Sequence, residues 1–327
     1  VDPTYLPNEK TFTFDYSFWS GEPLSDCEYT SQADVFNKIG RSMLMHAFEG
    51  FNVCIFSYGQ TNAGKTYTMM GAEDDPGIIP RFCEELFLKV AEFMSVSAEV
   101  SFKVELSYYE IYNERVRCLL TDEGSHKREL RVREHPITGP FVEDLSTYII
   151  DDYEDVFKWL TIGNQSRTVA CTKYNQTSSR SHAVFTLTLT QNKMDDEGQC
   201  TEVVSKINLV DLAGSERCGQ TSSASTNVFK EGVTINKSLS TLGRVIHALS
   251  EQGEVDAQEE PGEGPVKKRR HFVGYRDSVL TWLLKENLGG NSKTIMLANI
   301  SPASTNYEES LNTLRYADRV KYIKNEA

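Results

Sequence analysis

The stretch Gly59-Gln60-Thr61-Asn62-Ala63-Gly64-Lys65-Thr66 follows directly after the apolar run Val53-Cys54-Ile55-Phe56. It matches the pattern G-x-x-x-x-G-K-[ST] in the strand-to-helix context that this pattern requires. Its glycines let backbone N–H groups turn towards phosphate oxygens, Lys65 brings a positive charge to the β- and γ-phosphates, and the Thr66 hydroxyl can ligate Mg²⁺. The stretch therefore predicts a phosphate-binding loop rather than an unliganded glycine turn.

Two further polar segments have the chemistry expected around such a loop. Asp211-Leu212-Ala213-Gly214-Ser215-Glu216 follows the apolar run Ile207–Val210, so its carboxylate can hold the Mg²⁺ shell and the Gly214 N–H can contact a γ-phosphate. Asn175 to His182 offers hydroxyls, an amide and a guanidinium just before the strand-like run Val184–Leu189. Asp-x-x-Gly alone is also a common turn, but its pairing with the phosphate loop favours the nucleotide role. Taken alone, the Asn175 to His182 segment is equally well explained as a hydroxyl-rich turn with an ordinary, hydrogen-bonded His182.

Short apolar runs alternate with amphipathic segments along most of the chain, which predicts one α/β domain with a central, mainly parallel sheet covered on both faces. Asn306 and Glu309 have the spacing of a capping box. The other predicted strands are Phe102–Tyr108 and Thr294–Ile300, and the predicted helices are Ala33–Phe48, Pro80–Phe93, Tyr153–Ile162, Val228–Leu249, Ser278–Leu288 and Tyr307–Ile323.

Composition narrows the functional classes. The 327 residues carry 34 Lys and Arg against 47 Asp and Glu, a net charge of −13, which opposes general nucleic-acid binding. No apolar run approaches the roughly 18 residues of a membrane span, and the start of the sequence does not have the features of a signal peptide. The seven cysteines form no C-x-x-C pair, which favours reduced structural thiols in a cytosolic protein.

Two other segments allow alternative interpretations. Asn192-Lys193-Met194-Asp195 matches the guanine-reading motif of Ras-type GTPases. In those proteins the motif follows the Asp-x-x-Gly segment, whereas here it precedes Asp211. The position therefore favours a polar hairpin tip between two strands. Residues 251–270 contain six carboxylates followed by four basic residues, and we expect a long exposed loop there.

The order and wording of these segments resemble the kinesin motor domain over essentially the whole chain. The phosphate loop extends as Tyr67-Thr68-Met69, and the segments Asn175–His182 and Asp211–Glu216 resemble switch I and switch II. The likeness continues through Asn236–Leu239, Tyr275–Ser278, Leu288–Ser292 and Leu314–Ala317. Further stretches, His46–Gly50, Arg131–Pro136, Gly139-Pro140 and Val279–Leu284, look like the kinesin-3 class.

The resemblance implies a P-loop NTPase-type three-layer α/β/α fold with a mostly parallel mixed sheet, ATP as substrate and Mg²⁺ as cofactor. It implies that the nucleotide is bound by Gly59, Gln60, Thr61, Asn62, Ala63, Gly64, Lys65, Thr66 and Tyr67. Thr66, Ser179 and Asp211 would hold the metal, and Ser178 and Ser179 would position the attacking water. Gly214 would sense the γ-phosphate, and Arg180 with Glu216 would form the ion pair that closes the switches.

The predicted Val228–Leu249 helix has an apolar stripe at Ile235, Leu239, Leu242, Ile246 and Leu249. Lys230, Lys237 and Arg244 recur every seven residues and form a separate line, which could also be an ordinary solvated face. Concentrated positive charge on an acidic chain would attract an acidic polymer. By resemblance that polymer is the microtubule, contacted by these residues together with Lys267, Lys268, Arg269, Arg270, Arg276 and Lys285.

The sequence also departs from the family. The opening strand with Arg-x-Arg-Pro is not found, and the acidic residues of 251–270 differ from the lysine-rich insertion of kinesin-3 motors. We expect a motor domain over residues 1–323 and the start of a neck linker at 324–327. The predicted function is a microtubule-stimulated ATPase that moves organelles towards plus ends, located in the cytoplasm on microtubules, with cargo bound outside this chain. The alternatives are a nucleotide-insensitive microtubule-binding module and a regulatory GTPase.

Overall fold

The computed structural model describes residues 10–21, 28–97, 99–121, 129–173, 179–194, 199–216, 226–257, 272–325 and 327. Only the backbone is described for 169–173, 226–236 and 253–257. In the part of the chain so described, no helix is long and apolar enough to cross a bilayer. Cys54, Cys83, Cys118 and Cys200 are free thiols.

A seven-stranded sheet forms the centre of the described fold. Its strands are β1 (Val53–Tyr58), β2 (Val100–Tyr112), β3 (Arg115–Cys118), β6 (Tyr148–Ile150), β7 (His182–Met194), β8 (Cys200–Asp211) and β9 (Lys293–Ala298), while β4 (Val132–His135) and β5 (Gly139–Val142) form a separate hairpin. The order is β3-β2-β7-β8-β1-β9, with β6 also beside β2.

The sheet is mixed, and its parallel pairing surrounds the phosphate-loop strand. Strand β1 is parallel to β8 on one side and to β9 on the other. Strand β7 is antiparallel to both β8 and β2, and β2 is antiparallel to β3 and β6. Four strands, β1, β2, β8 and β9, therefore run in one direction and three in the other.

Helices cover both faces of this sheet. The helices are α1 (Gln32–Val35), α2 (Arg41–Phe48), α3 (Lys65–Met69), α4 (Ile78–Val96), α5 (Tyr153–Lys173), α6 (Thr226–Ala257), α7 (Val279–Leu283) and α8 (Tyr307–Val320), and a π-helical turn at Phe36–Gly40 joins α1 to α2. Because side chains of a strand alternate between faces, Val53 and Ile55 pack with α1, α2, α4 and α5, whereas Cys54 and Phe56 pack with α6, α7 and α8. The predicted three-layer α/β/α architecture is confirmed.

Tertiary contacts account for the main differences from the predicted elements. The predicted Ser278–Leu288 helix is divided into α7 and a 3₁₀ turn at Lys285–Asn287. The helical segment ends at Asn287, whose buried side chain accepts a hydrogen bond from the Asn208 amide and donates one to Ser292 Oγ. The predicted capping box at Asn306 is wrong, since the Asn306 amide donates to Ser301 Oγ instead.

Helix α6 is longer at both ends than the predicted Val228–Leu249 helix. Its stripe is buried as predicted at Leu239, Leu242, Ile246 and Leu249. Residues 251–257 of the expected exposed loop are helical, and residues 258–271 lie outside the described ranges.

Candidate nucleotide site and basic face

The phosphate loop connects β1 to α3 at the carboxyl end of the parallel strands. Gly64 has a φ of 92°, a left-handed conformation that favours glycine, and it begins α3. The Lys65 side chain is 7% exposed, and its Nζ donates to the Gln60 carbonyl oxygen at 2.7 Å. Burial lowers the pKa of Lys65, while Asp211 and Glu216 act in the opposite direction. The lysine ammonium is thus held against the backbone of the predicted phosphate-binding loop.

The predicted metal ligands Thr66 and Asp211 meet at the carboxyl ends of the neighbouring strands β1 and β8. Parallel register places Ser57 of β1 beside Asp211 of β8, and α3 begins one short loop later. Thr66 Oγ1 donates to Asp211 Oδ2 at 2.7 Å. Hydroxyl and carboxylate oxygens are the hard ligands that Mg²⁺ prefers. Gln60 Oε1 is also buried, and it has no hydrogen-bond partner among the described residues, as expected of a site for a polar ligand. The residues present therefore fit a magnesium nucleotide.

Arg167 of α5 is a site residue that sequence reasoning missed. Its guanidinium is buried and donates to Asp211 Oδ2 at 2.9 Å, on the carboxylate oxygen that also accepts from Thr66. Burial disfavours the charge of Arg167, but Asp211, Tyr108 and Glu110 outweigh it and raise the pKa of the guanidinium. Arg167 thus compensates the charge of the predicted metal ligand from the side of the protein core.

Three successive amides of the predicted switch II segment donate to three different residues. The Ala213 N–H donates to His182 Nδ1 at 3.0 Å, the Gly214 N–H to the Ser179 carbonyl oxygen at 2.9 Å, and the Ser215 N–H to the Gly59 carbonyl oxygen at 3.1 Å. The segment after β8 is therefore bonded both to the phosphate loop and to the start of β7.

Glu216 lies against the phosphate loop in this structure. Its Oε2 accepts from the Thr61 backbone N–H at 2.7 Å, and its Oε1 accepts from the Thr61 hydroxyl. Arg180, the predicted ion-pair partner of Glu216, stands two residues before β7 in the chain, and that pairing stays a prediction. Of the predicted switch I residues, Ser179 and Arg180 are half-buried, Ser181 and His182 are buried, and Asn175 to Ser178 lie outside the described ranges.

The possible guanine-reading motif lies at the opposite end of the sheet. Asn192 and Lys193 are near the end of β7, where they pair with Glu202 and Thr201 of β8, and Asp195 is not among the described residues. Asn192 is nine residues along the strand from Ala183, which pairs with Asp211, and that corresponds to about 30 Å of extended chain. A base bound beside Lys65 cannot reach these side chains.

The comparison with known families agrees with this geometry, because the family described as "Kinesin motor domain" matches residues 3–323. The chain belongs to the kinesin motor domain family. It is 56% identical over 318 residues to "Kinesin-like protein KIF1B" of Homo sapiens, covering 96% of this chain and 17% of that protein. It is 55% identical to "Kinesin-like protein KIF1C" of Homo sapiens, covering 96% of this chain and 27% of that protein.

These relatives are of the kinesin-3 class, as predicted. The chain spans about a sixth to a quarter of their length. Among solved structures it is similar to "KIF14[391-772] dimer two-heads-bound state - AMP-PNP in complex with a microtubule", with a TM-score of 0.84 and 50% identity. That match covers 97% of this chain and 83% of the solved one.

Four predicted microtubule-binding residues of this kinesin have described side chains, and they lie on α6 and on the 3₁₀ turns Tyr275–Asp277 and Lys285–Asn287 that flank α7. The four whose side chains are described are between 39% and 71% exposed, and each forms an ion pair within the chain. Lys237 lies 3.6 Å from Glu114, Arg244 lies 3.4 Å from Asp277, and Arg276 and Lys285 both contact Glu134. The Lys230 side chain and Lys267, Lys268, Arg269 and Arg270 lie outside the described part.

Glu134 joins two of these cations through the β4–β5 hairpin. It accepts from Arg276, whose guanidinium also lies 5.4 Å from the centre of the Trp282 ring, and it lies 3.4 Å from Lys285. The hydrogen bond from Arg276 lowers the pKa of the Glu134 carboxyl. We call Lys237, Arg244, Arg276 and Lys285, with their partners Glu114, Glu134 and Asp277, the paired basic face.

Proposed function

We propose that this chain is the motor part of a longer protein, in which it hydrolyses Mg-ATP and converts the energy into movement along microtubules. Plus-end-directed transport of organelles or vesicles is the role that we infer from its kinesin-3 relatives. The observation that carries the proposal is the meeting of Lys65, Thr66 and Asp211 at one phosphate loop in a chain of this family. The relative KIF14, solved in complex with a microtubule, supports the partner.

The chain's own residues would bind and orient the nucleotide. Backbone amides of the 59–64 loop and the Lys65 ammonium would hold the phosphates, and Tyr67, which follows Thr66 on α3, would contact the nucleotide as the family resemblance implies. Thr66, Ser179 and Asp211 would hold Mg²⁺, which supplies neutralisation of the charge on the transferred phosphoryl group. Arg167 keeps the Asp211 carboxylate in place from behind. Phosphoryl transfer needs positioning and charge stabilisation more than covalent chemistry, and these side chains provide both.

The switch residues would then close over the nucleotide. Both carboxylate oxygens of Glu216 accept from Thr61 in this structure, so a bidentate pairing with Arg180 would compete with these two bonds. We infer that closure exchanges Thr61 for Arg180 as the partner of Glu216, while Ser178 and Ser179 orient the attacking water. The Gly214 N–H must likewise leave the Ser179 carbonyl oxygen to contact a γ-phosphate.

Microtubule binding would use the paired basic face. The cations of this face are exposed, and ion pairs of exposed side chains add little stability, so tubulin carboxylates would replace Glu114, Glu134 and Asp277 at small cost. Because the segment after β8 leads along the chain to α6, nucleotide and filament would each change the affinity for the other by the same factor.

The test compares ATP turnover with and without microtubules, in the wild type and in Glu216→Ala and Arg180→Ala. We expect strong stimulation in the wild type and nucleotide binding without stimulated turnover in both variants. Arg41→Ala and Glu85→Ala remove an exposed ion pair on the opposite face of the sheet and serve as matched controls. Normal stimulation of the two switch variants would contradict the role of Arg180 and Glu216, and no stimulation of the wild type would contradict the motor function.

The two alternatives predict other outcomes. A nucleotide-insensitive binding module would bind microtubules equally in ADP and in AMP-PNP. A regulatory GTPase would prefer GTP when ATP and GTP compete for the site, but the distance of Asn192 and Lys193 from the phosphate loop favours ATP.

A further inference from the structure

His182 lies between the nucleotide site and the paired basic face, and both nitrogens of its ring are bonded. Nδ1 accepts from the Ala213 N–H at 3.0 Å, and Nε2 lies 2.8 Å from Ser238 Oγ. Since Nδ1 accepts, the single ring proton of neutral His182 is on Nε2 and is donated to the serine. The imidazole is 2% exposed, so this arrangement is closed to water.

One end of this bonded chain is the backbone that is predicted to detect the γ-phosphate. Ala213 and Gly214 share a peptide unit, and the Gly214 N–H now donates to the Ser179 carbonyl oxygen. Turning that N–H towards a phosphate changes the backbone angles at Ala213, whose own N–H is bonded to His182. A movement at Gly214 therefore acts directly on the imidazole.

The other end is the helix that carries the filament-binding side chains. Ser238 is buried on α6, and its neighbour Lys237 is exposed on the paired basic face. Leu239 and Leu242 also hold α6 against the sheet, but apolar packing does not depend on direction, whereas a hydrogen bond does. The bond from His182 to Ser238 is thus a directional contact between the nucleotide side and this turn of α6.

We propose that His182 is a positioning residue that couples the switch II backbone to α6 through Ser238, so that nucleotide state changes the microtubule affinity. The inference rests on the proposed motor function and deepens it. A purely structural role would make the pair matter for stability alone, and the two roles give different results when the coupling itself is measured.

The experiment measures microtubule affinity by co-sedimentation in ADP and in AMP-PNP, and the ratio of the two dissociation constants reports the coupling. We expect Ser238→Ala to reduce this ratio by about two- to tenfold, the equivalent of one neutral hydrogen bond, with basal ATP turnover unchanged. Ser250→Ala is the matched control, because Ser250 is a buried serine of the same helix whose hydroxyl donates only within it, to the His247 carbonyl oxygen.

His182→Asn gives a second line of evidence, since the shorter side chain cannot reach Ser238. We expect it to reduce the ratio, and the double variant with Ser238→Ala to show no further loss, because both changes break the same bond. An unchanged ratio in Ser238→Ala, an equal loss in Ser250→Ala, or additive losses in the double variant would overturn the inference while leaving the motor function intact. A wild-type ratio of one would overturn the proposed function and the inference together.

Discussion

Gly214 shows how closely the residues of the nucleotide site approach one another. A Cβ at this position would lie 2.3 Å from Thr61 Oγ1 and 2.4 Å from Glu216 Oε2, distances that no side chain tolerates. The Asp-x-x-Gly pattern predicted that the backbone N–H of this glycine contacts the γ-phosphate. The structure adds a steric reason, because any other residue would push Glu216 away from the phosphate loop.

Arg167 was not predictable in the same way, since its partner Asp211 is 44 residues away in the chain. One signal was nevertheless present. Val156, Leu160, Gly163 and Arg167 are spaced by four, three and four residues, which places an arginine on the face of α5 that packs against the sheet. A charge on a buried stripe indicates a buried partner, but the sequence does not identify that partner.

We expect Arg167→Gln to lower the free energy of unfolding by about 3–5 kcal/mol, because it leaves the buried Asp211 carboxylate without its counter-charge. Chemical denaturation followed by circular dichroism measures this loss. Saturating Mg-ADP should recover part of it, since a bound ligand that is selective for the native state stabilises it.

Arg41→Gln is the control for this prediction. Its ion pair with Glu85 is about half exposed on the arginine side, and we expect a loss below about 1 kcal/mol. Equal losses in the two variants would show that Arg167 contributes no more than a surface ion pair.

At the scale of elements, the apolar stripe of α6 was the most reliable signal, because apolar residues recur at spacings of three and four over four helical turns. The division between α7 and the following 3₁₀ turn could not be predicted, since Asn287 is held by Asn208 and Ser292 from elsewhere in the chain. The mixed direction of the strands also depends on contacts between distant segments. Periodicity predicts which face of an element is buried, but not which element covers it.

The β4–β5 hairpin has an element-scale role through Glu134. We expect Glu134→Gln to increase microtubule affinity about two- to threefold at low ionic strength, because it removes the carboxylate that competes with tubulin for Arg276 and Lys285. Co-sedimentation in AMP-PNP at about 0.05 M and 0.3 M salt measures the effect, which screening should abolish at the higher concentration.

Glu143→Gln removes the same charge from the same hairpin, but from a pair with Arg133. We expect it to change the affinity much less. If both variants strengthen binding equally, net charge alone accounts for the result, and if Glu134→Gln weakens binding, Glu134 orients the cations rather than competing for them.

At the scale of the whole molecule, stability should depend on pH through His182. Burial lowers the pKa of this imidazole from an ordinary 6.5 to about 3, with Arg167 and Lys65 contributing. Below pH 6.5 the unfolded chain therefore binds a proton that the folded chain does not, and the free energy of unfolding falls as the pH falls. From pH 7 to pH 5 this group alone should cost about 2 kcal/mol.

The measurement is denaturant unfolding of the wild type and of His182→Asn at both pH values. We expect the wild type to lose about 2 kcal/mol more than the variant between pH 7 and pH 5, since the other titrating groups are common to both. Parallel losses would show that His182 is protonated in the folded protein as readily as in the unfolded one.

The proposed binding of microtubules to the paired basic face has a consequence for how this acidic protein would select its polymer. Its lysines and arginines already carry counter-ions of their own, so a diffuse polyanion that merely passes by has little uncompensated charge to neutralise. A filament must instead present carboxylates at positions where they can take over from Glu114, Glu134 and Asp277 in concert. Recognition then depends on the spacing of charges along the lattice, and a flexible acidic chain with the same total charge is a poor substitute.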